Sequence, residues 1–144
     1  MSGTALDVAC GRGGAAVWMA RRGLQVWGVD VSEVAVAQAR ELAAHWQVAQ
    51  RCRFSTADFD DGLPPGPAVE VIVCQRFRDP DLYGAIVDRL VPGGLLAISV
   101  LSEVGAEPGR YRAKPGELTA AFATLEAIAS GEGEGIAWLL ARKV

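Results

Sequence analysis

The feature that most narrows the fold is a junction near the N-terminus. A short apolar run, Ala5-Leu6-Asp7-Val8-Ala9, ends in a glycine cluster, Gly11-Arg12-Gly13-Gly14, and a helix-like segment follows at once. Glycines between a buried strand and a helix let the backbone turn sharply and leave the helix N-terminus bare. The helix, residues 15–22, puts Ala16, Val17 and Ala20 on one side and stops at Gly23. The same unit then recurs. Residues 25–30 read as a second buried strand, and Ser32 can N-cap a helix with the stripe Ala35, Ala39, Leu42, Ala43 and Trp46. Residues 52–57 read as a third strand.

Residues 58–68 hold three prolines and two glycines, so this crossover is a loop rather than a helix. Residues 69–74 form a near-continuous apolar strand. Asp79-Pro80 pairs an N-cap with proline at the first helical position, opening a helix with Leu82, Ile86, Val87 and Leu90 inward, closed by Pro92. Residues 94–101 read as a fifth strand, 102–113 as a loop, and 115–123 as a short helix. Residues 124–129 and 135–144 then read as two strands of a hairpin around Gly131-Glu132-Gly133-Glu134. Strands alternating with helices predict an α/β doubly wound fold, with a mostly parallel sheet covered on both faces. Counting the C-terminal antiparallel hairpin, the sheet has seven strands. With 144 residues and 51% hydrophobic content, the expectation is a single globular domain over 1–144.

Charge and cysteine usage remove several classes of function. A net charge of −3 provides no basic field for nucleic acid or an anionic membrane. Cys10, Cys52 and Cys74 lack paired spacing and His45 is the sole histidine, so no metal site is expected. Free thiols point to a reducing compartment. No apolar run approaches the roughly 20 residues that span a bilayer, and the N-terminus lacks a signal-peptide pattern. The expected location is cytoplasmic.

In this topology ligands sit at the carboxyl ends of the strands. Gly11-x-Gly13-x-x-Ala16 suits a dinucleotide or another adenosine cofactor equally, and Asp30, 17 residues past Gly13, stands where a ribose-binding acid belongs. Asp7 separates the two. A carboxylate inside the first strand is a poor neighbour for a pyrophosphate and a good one for a cofactor carrying ammonium and sulfonium charge. The plainer role for Asp7 is to accept hydrogen bonds from the glycine-loop amides; for Asp30 and Asp58 it is capping of strand ends.

Here the chain resembles the class I S-adenosylmethionine-dependent methyltransferases, whose fold is Rossmann-like. Ala5-Leu6-Asp7-Val8-Ala9-Cys10-Gly11-Arg12-Gly13 is similar to that family's first motif, and Val26-Trp27-Gly28-Val29-Asp30-Val31-Ser32 to its second. Phe54-Ser55-Thr56-Ala57-Asp58-Phe59 is similar to the adenine-contacting segment, and Leu90-Val91-Pro92-Gly93-Gly94-Leu95-Leu96 to the turn before strand five. A finer resemblance, to small tellurite-resistance-like and other small-molecule methyltransferases, rests on Cys10-Gly11-Arg12-Gly13, the missing third helix, and Arg112-Ala113-Lys114-Pro115-Gly116-Glu117-Leu118.

The resemblance implies S-adenosyl-L-methionine as cofactor and places its contacts at Asp7, Ala9, Cys10, Gly11, Gly13, Asp30, Val31, Ala57, Asp58, Phe59, Gln75 and Arg76. Asp7 would help hold the methionine end and Asp30 the ribose hydroxyls. Asp58 would accept from the adenine amine, with Val31 and Phe59 flanking the ring. Gln75 and Arg76 would border the methyl group. The family usually has glycine at the position of Ala9, and a Cβ is accommodated there if φ is negative.

No catalytic base is named by the sequence: His45 lies late in the second helix, and Cys10 and Cys74 read as packing residues. Nothing resembles the motif of nucleic-acid base methylation, so the expected acceptor is a small molecule and nucleic acid is not an expected partner. The resemblance implies an N-terminal helical cap, which is expected to be missing here because the first strand starts at about Thr4. The pocket is then open, or closed by a second subunit, or the true protein starts upstream. A homodimer or a loosely closed site is the expectation. A domain that binds the cofactor without catalysis is the alternative; NAD-dependent oxidoreduction is disfavoured by Asp7.

Overall fold

The computed structural model describes residues 2–144. The elements are β1 (Thr4–Val8), α1 (Gly14–Ala20), β2 (Gln25–Asp30), α2 (Glu33–His45), β3 (Cys52–Thr56), β4 (Val69–Gln75), α3 (Tyr83–Arg89), β5 (Leu90–Leu101), α4 (Glu117–Ala121), β6 (Glu126–Gly133) and β7 (Ile136–Arg142). They build one seven-stranded sheet in the order β3-β2-β1-β4-β5-β7-β6. Strands β1 to β5 run parallel, while β7 lies antiparallel to both β5 and β6. The strand order reverses between β1 and β4, which opens a crevice at their carboxyl ends.

Alternation along the strands divides the core. Leu6, Val8, Ile72, Leu96 and Ile98 face α3 and α4, where Leu82, Ile86, Leu118 and Phe122 complete one apolar layer. Ala5, Val26, Phe54 and Val73 face the other way, under Ala16, Val17 and Ala20 of α1 and Val36, Ala39 and Ala43 of α2. The buried stripe of α2 therefore runs through Val36 rather than Ala35, and Trp46 lies outside it with the Arg21 guanidinium over its ring at 4.1 Å. Gly13, at φ 90°, precedes α1 and comes so close to α2 that a Cβ would lie 2.8 Å from that of Ala39.

Several boundaries differ from the sequence expectation: β5 begins at Leu90 rather than 94, and β6 runs Glu126–Gly133 rather than 124–129. The helix after Asp79 begins as a 3-10 turn, Pro80–Leu82, and α3 ends at Arg89, before Leu90. There Lys143 Nζ donates to the carbonyls of Val87 (2.8 Å) and Leu90 (3.0 Å), satisfying a helix end with a cationic side chain. The hairpin turn is at Glu134-Gly135, not at the preceding glycines. Both residues have positive φ (53° and 81°), as a two-residue type I′ turn requires.

Among the described residues, the face of the sheet under α1 and α2 is covered over β1, β2 and β3. Over β4, β5 and β7 it lies open as an apolar groove of about 560 Å³, lined by Trp18, Val71, Val73, Leu95, Ala97 and Leu140 among others.

Candidate functional site

The site is assembled at the carboxyl ends of β1, β2 and β4. Beyond β1 the chain leaves the sheet through Ala9 and Gly11, both left-handed at φ 57° and 55°. The loop is pinned from below and from the side. Cys10 N donates to Val29 O at 2.9 Å, Gly13 N to Cys10 O at 3.1 Å, and Gly11 N to Asp30 Oδ2 at 2.9 Å. The other oxygen of Asp30 accepts from Ser32 N at 2.9 Å. Asp30 therefore joins the glycine loop to the start of α2, the local role that capping predicts. Gly28 lies in β2 below this loop, where a Cβ would fall 2.6 Å from the Phe54 ring.

Asp7 is 2% exposed. Burial pushes its carboxyl up to about 7, against a hydrogen bond from the Ala16 amide, with the Asp30 charge adding to the rise. Its Oδ2 has no hydrogen-bond partner. The amide that reaches Asp7 is that of Ala16 in α1 rather than one of the glycine loop, and one buried oxygen remains to be satisfied. Burial is likewise the main cause that pushes Cys10 and Cys74 up to about 12, so neither is a thiolate nucleophile at neutral pH.

Across the crevice, Val31 is 67% exposed beside Asp30. Asp58 is exposed and its Oδ1 accepts from Asp60 N at 2.9 Å, capping a 3-10 turn, while Ala57 N donates to Asp30 O. Phe59 is buried and packs on Phe77, ring centroids 5.2 Å apart. Gln75 and Arg76 are exposed at the end of β4. Arg76 adopts a left-handed φ of 56°, its amide donating to Ser99 O (2.8 Å) and Oγ (3.1 Å). A non-glycine residue in this conformation marks a position held by its surroundings. Ala9 is the other such position in the site, and its positive φ departs from the negative value its Cβ favours.

Sequence reasoning missed one cluster. Arg78, just past β4, grips Glu117 at the start of α4 with Nε–Oε2 2.8 Å and Nη2–Oε1 2.6 Å, and Tyr83 donates its hydroxyl to Glu117 Oε2 at 2.9 Å. No spacing rule links residues 39 apart. Arg112, the first residue of the segment that carries the finer resemblance, donates to the carbonyls of Ser102 and Gly135. His45 is exposed at the end of α2. No group of side chains suited to a metal ion occurs among the described residues. Nor, among them, is any helix long and apolar enough to cross a membrane.

The family described as "Methyltransferase domain" matches residues 5–94, which spans every element from β1 to the start of β5. The chain belongs to this family. A ubiquinone biosynthesis O-methyltransferase from Alkalilimnicola ehrlichii is 37% identical over 106 residues, covering 67% of this chain and 41% of that protein. The chain thus spans less than half the length of this curated relative. Among solved structures, TehB from Haemophilus influenzae superposes with a TM-score of 0.86 at 19% identity, over 99% of this chain and 58% of that one. Geranyl diphosphate C-methyltransferase from Streptomyces coelicolor, solved with S-adenosyl-L-homocysteine, superposes at 0.80 and 16% identity, over 99% and 74%.

The cofactor of a class I methyltransferase domain is S-adenosyl-L-methionine, and the residues present fit it. A buried carboxyl oxygen without a partner calls for a cationic ligand, the glycine loop leaves room for close approach, and an exposed Val31 offers an apolar surface to a ring.

Proposed function

We propose that this chain transfers the methyl group of S-adenosyl-L-methionine to a small-molecule acceptor. The observation that carries the reading is Asp7, a buried carboxyl with one unpartnered oxygen on the strand that leads into the glycine loop. The α-ammonium at the methionine end answers it, directly or through water. Asp30 and Asp58 retain lone pairs beyond those their backbone partners use. With these they would hold the ribose hydroxyls and the adenine amine, Val31 and Phe59 bounding the ring. Ala9, Cys10, Gly11, Gly13 and Ala57 would contribute backbone, and Gln75 and Arg76 would border the methyl group and the acceptor.

The cofactor supplies an electrophilic methyl on a sulfonium. The protein's task is then alignment, which provides roughly 7–11 kcal/mol in favourable cases and needs no dedicated base. The acceptor is a metabolite rather than nucleic acid, since the chain carries a net charge of −3. The O-methyltransferase relative makes hydroxyl compounds the first class to screen. A homodimer, with each copy closing the other's open sheet face, belongs to the same reading, as does a cytoplasmic location.

Titration calorimetry with S-adenosylmethionine, S-adenosylhomocysteine and NAD tests it: micromolar binding of the first two and none of NAD is expected. Asp30→Ala should abolish that binding, and unchanged affinity would refute the ribose role. A second reading, cofactor binding without transfer, is favoured by Ala9, whose Cβ occupies a left-handed position where relatives usually have glycine. Release of S-adenosylhomocysteine across an acceptor screen separates the two.

A further inference from the structure

Asp7 serves the proposed function as an anion, yet no cation among the described residues pairs with it. From α1 it receives the Ala16 amide; from β2 it faces the Asp30 carboxylate, from the glycine loop the Cys10 thiol, and from β4 the Cys74 thiol. None of these is a cation. The ion pairs among the described residues are Arg78–Glu117 and Lys114–Glu103, so no basic side chain is paired with Asp7. A buried carboxyl with a free oxygen and no counter-charge takes up a proton instead.

We propose that the cofactor-free protein holds Asp7 as the neutral acid, and that a ligand bearing an ammonium group expels that proton on binding. The inference rests on the cofactor reading above, because the methionine end supplies the ammonium. The exchange is balanced: the carboxyl O–H breaks, the proton passes to the buffer, and the buried carboxylate gains an ionic partner without any covalent bond to it. Asp7 thereby selects on ligand charge. An ammonium repays its ionisation, whereas a pyrophosphate would force a second anion against it. Affinity should rise about tenfold per pH unit up to about pH 7, where burial places the carboxyl. It falls again at the higher pH where the ligand's own α-amino group deprotonates.

Two measurements decide the matter. The first uses the cofactor-free protein. A folded-state value raised above the unfolded one means the folded protein holds an extra proton between the two, so wild-type stability falls as pH rises through that window and levels beyond about 7. Asp7→Asn lacks this dependence, so its melting temperature relative to wild type should climb between about pH 4 and about pH 7 and then level. Parallel curves would overturn the neutral acid. If the variant does not fold, the infrared carbonyl band of a protonated buried carboxyl in the wild type at about pH 6 decides by its presence or absence.

The second measurement is calorimetry with S-adenosylhomocysteine in two buffers of different ionisation enthalpy. Close to one proton released per ligand at about pH 6 is expected. Tight binding with no release overturns the exchange. No binding at all overturns the cofactor reading together with the exchange, while the first measurement still settles the state of Asp7.

Discussion

Ala9 is the residue on which the site's competence turns. It is left-handed at φ 57°, where an L side chain crowds the following carbonyl at a cost of about 1–2 kcal/mol. Ala9→Gly removes that strain and loses part of the gain to the greater freedom of glycine in the unfolded chain. The net expected is stabilisation of about 0.5–1 kcal/mol in urea denaturation, accompanied by tighter cofactor binding. A loss of stability would mean that the Cβ packs favourably where it stands. Glu134 is the parallel case outside the site, at φ 53° in a type I′ turn that prefers asparagine or glycine. Glu134→Asn should stabilise the hairpin by a few tenths of a kcal/mol up to about 1, read from the same denaturation curves.

At the scale of elements, the bond from Arg78 to Glu117 ties the segment after β4 to α4, with Tyr83 of α3 as third member. The Arg78 guanidinium, with help from the Tyr83 hydroxyl, holds the Glu117 carboxyl below its ordinary value. A lowered carboxyl contributes stability above the unfolded value near 4.5 and loses it as pH falls through the folded one. Glu117→Gln should therefore cost about 1–2 kcal/mol at neutral pH. The gap to wild type should close under acid conditions, as paired melting curves against pH would report. The same scale shows what was legible. Strand and helix alternation set the topology because each element's apolar pattern is local, and the motifs at Asp7, Asp30 and Asp58 lie at strand ends that such patterns locate. The hairpin turn was misplaced because glycine has two uses: Gly131 makes room for a ring, since a Cβ there would lie 2.6 Å from Trp138 Nε1, and does not turn the chain. The link from Arg78 to Glu117 and the open groove arise from tertiary placement, which no window of sequence contains.

Over the whole molecule, the unfinished feature is that groove. Doubly wound sheets are covered on both faces, and here, among the described residues, α1 and α2 leave β4, β5 and β7 bare on one side, with Trp18 exposed along it. Gln75 lines the groove at the carboxyl end of β4, so whatever covers this face also borders the candidate acceptor pocket. A second copy related by a two-fold axis would present the same apolar surface in return. Light scattering at tens of micromolar protein should then give twice the chain mass. Leu140→Arg, which places a charge in the groove lining on β7, should give the single-chain mass with an unchanged circular dichroism spectrum. Because Asp7 and Asp30 do not line the groove, the variant should keep its affinity for S-adenosylhomocysteine. Turnover, which needs a closed acceptor pocket, should fall. A wild-type monomer that turns over at full rate would show that the groove stays open in the working protein and that the acceptor needs no second copy to be enclosed.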